Sequence, residues 1–277
     1  MKITKVTKET HKHCFPLTQV AFGADSKAES NPDLFKMMEY CRSVGVIPNI
    51  TVADISDETA QKLCNICGAV AVSRYEDKNV CYDIVKKLTD GGLKQCNIHV
   101  MLSEQTFDWC METAKDSLTD PRLKNLNAIV FLSLKKKGRA KNGFEYVSYE
   151  KFRELFLWCL NNEISFGFDS CSAPRFLRLV QSEDSIEENI RQQYIQCCEP
   201  CESGLFSFYT GVDSCYYPCS FTEGEKGWED GLSLLERNDF FKDIWYHPKN
   251  VEWRDRLIKS SESDGCRKCL SFPEVNE

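Results

Sequence analysis

Between residues 18 and 171 the chain switches repeatedly from short β-branched runs to longer stretches with apolar residues every three or four positions, and few folds accommodate that alternation. TQVAFG (18–23), VIPNITV (46–52), GAVAVS (68–73), KQCNIHVML (94–102), NAIVFLSL (127–134) and ISFGFDSC (164–171) read as strands. PDLFKMMEYCRSVG (32–45), DETAQKLCNIC (57–67), NVCYDIVKKLTDGG (79–92), SEQTFDWCMETAK (103–115) and SYEKFRELFLWCLNN (148–162) read as the intervening helices, with Ser103 placed to cap the fourth. Strands separated by helical crossovers pair in parallel, so the predicted class is α/β. Such an array closes or partly closes into a β/α barrel, or opens into a doubly wound sheet. Either arrangement binds ligands at the carboxyl ends of its strands. Polar residues collect there: Gly23 and Asp25 after the first strand, Asn49 and Thr51 on the second, Ser73 on the third, Asn97 and His99 on the fourth, Ser133 on the fifth, Asp169 and Cys171 on the sixth. His99 alternates with Ile98 and Val100 and shares a strand face with Gln95 and Asn97.

Past residue 182 the character changes. SEDSIEENIRQQY is an acidic helix or linker, and LFSFYTG, a DS turn and CYYPCSF form a predicted hairpin. DGLSLLERNDFFKDIW and NVEWRDRLIKSS read as two amphipathic helices ahead of a CRKC tail. The expected organisation is a partial barrel over 1–182 and a small cysteine-rich α+β domain over 183–277.

Composition narrows the function classes. With 42% apolar and 28% charged residues the chain is globular, and it has no run of about 18 apolar residues that could span a bilayer. MKITKVTKETHKHC has no apolar h-region, so a cytoplasmic protein with no membrane association is expected. A net charge of −7 disfavours nucleic acid as a partner, and the basic run KKKGRAK (135–141) reads as a solvated loop.

In a reducing compartment the sixteen cysteines are expected to be thiols or metal ligands, not disulfides. Cys14, Cys41, Cys81, Cys96, Cys110 and Cys159 are spaced singly through apolar stretches and read as core. Cys64 and Cys67, a CxxC at a helix end, read the same way. Cys197, Cys198, Cys201, Cys215, Cys219, Cys266 and Cys269 are different: crowded, turn-rich and closed by a CxxC, they predict a metal site. Zinc and an iron–sulfur cluster are both allowed by an all-cysteine donor set.

CESGLFSFYTGVDSCYYPC (201–219) with the later CRKC resembles the auxiliary-cluster domain, of SPASM or twitch type, of radical S-adenosylmethionine enzymes. There a first cysteine precedes a DGxVYPC hairpin; here the hairpin reads DSCYYPC, with Ser214 in place of glycine. QVAFG, VIPNITV, GAVAVS, NIHVMLS, NAIVFLSL and GFDSC are similar, in order, to successive strands of a radical SAM barrel. The resemblance implies a partial (β/α) barrel of that type. It implies one auxiliary [4Fe-4S] cluster held by Cys201, Cys219, Cys266 and Cys269, with zinc as the alternative metal. It also implies an S-adenosylmethionine site at Gly23, Asp25, Ser73, Asn97 and His99, where GADS stands for the family's Gly-Gly-Glu/Asp-Pro.

One motif departs from the family. CxxxCxxC, which holds the catalytic cluster, occurs nowhere in the sequence, and His11, His13 and Cys14 do not replace it. Two readings follow. In one, the chain is part of a maturase-type radical SAM enzyme acting on a peptide or small-molecule substrate, inactive alone and completed by an N-terminal segment or partner protein. In the other, it is a non-catalytic scaffold with a structural metal site that binds a partner.

Overall fold

The computed structural model describes residues 17–24, 27–261 and 265–276. Six strands lie side by side in chain order: β1 (Gln19–Gly23), β2 (Ile47–Val52), β3 (Ala69–Ser73), β4 (Gln95–Leu102), β5 (Ala128–Ser133) and β6 (Phe166–Phe168). Pairing from β1 through β4 is parallel. This order decides between the two expected architectures. A doubly wound sheet needs a point where strand order reverses, and none occurs here. Sequential order with crossovers of one hand places the helices on a single face, as in a partial barrel.

The helices are α1 (Leu34–Ser43), α2 (Asp57–Ile66), α3 (Lys78–Asp90), α4 (Phe107–Thr119) and α5 (Tyr149–Asn161). Each begins close to its sequence signal. Ser56 and Ser148 cap α2 and α5 by accepting the amides of Thr59 and Lys151, and Asp77 caps α3 through Asn79. Ser103 acts one turn earlier than expected: it exchanges hydrogen bonds with Thr106, and α4 starts only at Phe107. Apolar residues at helical spacing on α3, Cys81, Tyr82, Ile84, Val85 and Leu88, pack with Ile50, Val52, Val70, Val72, Cys96 and Ile98, the helix-facing residues of the strands. Cys41, Cys67, Cys81, Cys96, Cys110 and Cys159 are buried as expected of core thiols. Burial pushes Cys67 and Cys81 up to about 12. Cys14 lies outside the described residues.

The chain divides into two compact units. One comprises the described residues up to Leu132 together with Val147–Gly167; the other comprises Ser133–Tyr146 and the described residues from Phe168 onward. The expected boundary at 182/183 therefore does not match the division. The segments that follow β5 and β6 satisfy their polar groups with C-terminal residues. Lys137 Nζ donates to the Phe221 carbonyl at 3.0 Å, and the Arg178 guanidinium donates to the Asn276 carbonyl. Both segments belong by contact to the C-terminal unit.

That unit holds α6 (Ala173–Ser182), α7 (Glu188–Cys197), α8 (Pro248–Lys259) and an antiparallel sheet of β7 (Tyr209–Thr210), β8 (Cys215–Tyr217) and β9 (Leu232–Ser233). The expected hairpin is β7–β8. The helix expected over 230–245 does not form; its first part is β9 and only Phe241–Trp245 coils, as a π-turn. Gly231, with φ +60, is what lets this segment lie against β8. A Cβ there would stand 2.8 Å from the Cys215 Cβ and 2.9 Å from the Tyr216 carbonyl oxygen. Tyr216 and Tyr217 are fully buried, and the Tyr216 hydroxyl donates to Asn250 Oδ1 at 2.8 Å.

Ser214 sits in the hairpin turn at φ +75, a left-handed conformation that favours glycine. Its carbonyl accepts from the Leu234 amide at 3.0 Å, so the turn is held from both sides of β8. Ser214→Gly is expected to raise stability. Relief of about 1–2 kcal/mol of left-handed strain outweighs about 0.5–1 kcal/mol lost to the freer unfolded chain. A higher urea midpoint at unchanged slope is the measurement that checks this.

Candidate functional site

Two groups of side chains carry chemistry, one in each unit. In the N-terminal unit the strand face opposite the helices is only half covered. Asn49 and Thr51 alternate with buried Ile50 and Val52, and Asn97 and His99 alternate with buried Ile98 and Val100. Register aligns Gly23, Thr51, Ala71 and Asn97 in one row across four strands, and pairs Ser73 with His99. Ser73, Asn97 and His99 thus lie on this face of the adjacent strands β3 and β4, with Gly23 two strands away at the end of β1. Asp25 lies outside the described residues. Asn49 donates to Gln19 Oε1 at 2.9 Å and accepts the Ala69 amide at 2.8 Å, while Asn127 donates to Asn97 Oδ1 at 2.8 Å. Among the described residues, a Cβ added at Gly23 would meet nothing within 4 Å.

In the C-terminal unit several thiols affect one another: Cys171 disfavours ionisation of Cys201 and of Cys219, and Cys201 that of Cys269. Local folding explains why these sulfurs are presented. Cys219 Sγ accepts the Phe221 amide and Cys269 Sγ the Phe272 amide, each at 3.4 Å, where the chain turns immediately after the cysteine. The two phenylalanine rings meet edge to face at 5.9 Å. Cys201 is fixed through its carbonyl, which accepts from Arg267 Nε at 2.6 Å. Cys171 lies in the 3-10 turn Ser170–Ser172 between β6 and α6.

The electrostatics follow from these contacts. The hydrogen bond to Cys269 and burial both raise Cys171, while Cys269 is lowered, because it receives that bond and the Phe272 amide as well. Burial pushes Cys201 up to about 11 and raises Cys219. Beside them lies the buried Lys135. Burial pulls its ammonium down, but Asp169 and Cys171 more than offset this and keep it charged. Lys135 pairs with Asp169, and its Nζ stands 5.1 Å from the centre of the Phe221 ring. The run KKKGRAK is therefore not a solvated loop. Lys135 is buried, Lys136 pairs with Glu145 at 2.6 Å, and Lys137 reaches Glu225 at 3.2 Å.

Of the four expected ligands, Cys219 and Cys269 open turns whose phenylalanine rings meet, and Cys201 is bonded through its carbonyl to Arg267 of the same tail. Cys266 is buried next to Cys198, with its Sγ directed at the Arg267 carbonyl 3.8 Å away. Cys215 lies on β8 beside Tyr217, its amide bonded to Asp213 at 2.9 Å. Among the described residues no three His, Cys, Asp or Glu side chains stand close enough to hold a single metal ion. A tetrahedral zinc site would need sulfurs only about 3.8 Å apart, from a Zn–S bond of about 2.3 Å. A four-iron cluster gives each thiolate its own iron and so spreads the four sulfurs around a larger body. The amide hydrogen bonds to the Cys219 and Cys269 sulfurs suit thiolates that carry negative charge.

No family model matches the chain, and no curated protein matches it in sequence. Solved structures do match in fold. Streptococcus suis SuiB superposes with a TM-score of 0.66 over 90% of this chain, at 14% identity. SuiB bound to S-adenosylmethionine gives 0.67 over 94%, also at 14% identity. The chain spans about six-tenths of the length of these structures, 60% and 62%. What is shared is a mixed α/β fold whose parallel sheet resembles the radical SAM partial barrel.

Proposed function

We propose that this chain is an iron–sulfur protein of the radical SAM type. In this reading the C-terminal thiols hold one auxiliary [4Fe-4S] cluster, and the open strand face binds S-adenosylmethionine through Gly23, Asp25, Ser73, Asn97 and His99. The observation that carries the reading is the pair of turns that aim backbone amides at the Cys219 and Cys269 sulfurs and whose phenylalanine rings meet, within a chain folded like SuiB. When bound, such a cluster supplies one-electron transfer. The chain's own residues set its surroundings. Phe221 and Phe272 direct amide hydrogens at two sulfurs and place an aromatic wall beside them, and Lys135 adds a buried positive charge. The amide hydrogen bonds favour the more negative, reduced state, whereas the aromatic rings, by excluding water, oppose it.

Radical chemistry also needs a CxxxCxxC, which the 277 residues do not contain. We assign it to a further segment or a partner protein, which makes this chain the substrate-side and electron-relay part of the enzyme. The substrate is a peptide or small molecule. Anaerobic reconstitution with iron and sulfide is expected to load about four irons and four sulfides per chain. It should also produce a broad visible charge-transfer absorption that bleaches on reduction. Zinc uptake with no sulfide-dependent colour would instead make this a structural metal site on a binding scaffold.

A further inference from the structure

We propose that Lys137, from the basic run KKKGRAK, is a positioning residue of the metal site, its ammonium pinning the turn that presents the Cys219 sulfur. The inference rests on the reading of Cys219 as a cluster thiolate and adds what holds that thiolate in place before metal arrives.

The chain after Cys219 folds as a series of tight turns. The Thr222 amide and hydroxyl both donate to the Cys219 carbonyl, at 3.0 and 2.7 Å, and the Glu225 amide donates to the Thr222 carbonyl at 2.9 Å. Thr222 is fully buried. In this geometry the Phe221 amide points back at Cys219 Sγ, 3.4 Å away. The turn bonds use the carbonyls of Cys219 and Thr222. Those of Phe221 and Glu223 accept from Lys137 Nζ, the first at 3.0 Å, and Glu225 Oε1 lies 3.2 Å from the same nitrogen. An ammonium has three hydrogens, and three acceptors from alternate residues of one loop surround this one. The basic run also grips Phe221 a second time. The Lys137 amide donates to the Lys135 carbonyl at 2.7 Å, which folds the run on itself, and Lys135 Nζ stands 5.1 Å from the centre of the Phe221 ring. Lys136, between them, pairs with Glu145 at 2.6 Å. Hydrogen bonds to the sulfurs of a cluster help to set its reduction potential, and they favour the more negative state. Lys137 therefore acts on the Cys219 sulfur through the turn, by keeping the Phe221 amide aimed at it.

The test uses the full chain, reconstituted anaerobically with ferrous iron and sulfide, as wild type, Lys137→Met and Lys136→Met, with the midpoint potential read by redox titration. Lys137→Met is expected to load the wild-type iron content and to be about tenfold harder to reduce, a shift of about 59 mV to more negative potential for one electron. Lys136→Met removes the same charge one residue away and is expected to keep the wild-type potential. An unshifted potential in Lys137→Met overturns the proposal, as does an equal shift in Lys136→Met, which would make the effect one of net charge. Absence of iron uptake by wild type overturns the cluster reading and with it the role of Lys137, whereas normal uptake with an unshifted Lys137→Met potential overturns the role of Lys137 alone. Because a variant can fail to fold, amide exchange of the metal-free wild-type protein provides an independent measurement. The Phe221 and Thr222 amides should exchange at least about tenfold more slowly than unstructured amides before any metal is added. Protection that appears only once iron and sulfide are bound would show that the metal, and not Lys137, makes the turn, and overturns the proposal.

Discussion

Lys135→Met is expected to destabilise the metal-free protein by about 3 kcal/mol, because it leaves Asp169 charged, enclosed and without its cation. The Lys135 side chain is 4% exposed and that of Asp169 17%, so neither charge recovers much hydration when the other is removed. Ser172 continues to donate to Asp169 and Phe221 keeps its place beside the methionine, so part of the packing survives. Removing both charges should be far milder. Lys135→Met with Asp169→Leu is expected to recover most of the loss, since an apolar pair of similar volume avoids the desolvation that the ion pair bears. Urea unfolding of the two single variants and the double variant gives the coupling directly. Additive losses would show that the pair is not the source of the effect.

Trp253→Ala is expected to have the larger effect, about 3–5 kcal/mol, as for other buried tryptophans cut back to alanine. Trp253 is 7% exposed and meets Trp228 edge to face at 6.3 Å. Its Nε1 donates to the Ser203 hydroxyl at 3.1 Å, and that hydroxyl donates in turn to the Pro218 carbonyl at 3.1 Å. Ser203 lies two residues after Cys201 and Pro218 immediately precedes Cys219. One indole on α8 therefore fastens both cysteine-bearing segments, and its removal should loosen the thiols as well as the core. Trp253→Phe, which keeps one aromatic ring but loses the donor and part of the indole's volume, should lose less, about 1–3 kcal/mol. Amide exchange of the Tyr216 and Tyr217 region, faster in Trp253→Ala and little changed in Trp253→Phe, would separate the two contributions.

The sheet and its helices were legible because their determinants are local. The switch between two-residue and 3.6-residue periodicity, and caps such as Ser56 and Ser148, lie within a few residues of the elements they define. The strand-end rule likewise put Ser73, Asn97 and His99 on the half-covered face, since alternation along a strand fixes which side chains share it. Elements in the C-terminal unit were harder to read. Residues 230–245 have helical spacing, yet Gly231 and the β8 edge draw the first part into a strand, a tertiary preference that no local window contains. The surroundings of the tail cysteines were hidden for a related reason. CRKC spacing suggests two ligands in the tail, but the turn that packs on the chain's last turn comes from the far end of β6. The carboxyl-end rule had already marked Asp169 and Cys171; what the sequence could not show was that the chain's last turn folds back onto them. Lys135 was hidden by its neighbours, because a run of basic residues looks solvated until one of them is seen paired inside.

The packing of the Ser170–Ser172 turn against the terminal turn Pro273–Asn276 also bears on how the protein is assembled. It closes a loop made of almost the entire C-terminal unit, so the two turns meet only after α6, α7, the small sheet and α8 have found their places. Contacts between such distant segments are the slowest part of a folding reaction. Metal capture would then be a late event, made by a chain that is already largely native. Once made, it would lock the most entropically expensive contact in the unit and slow its unfolding more than its folding.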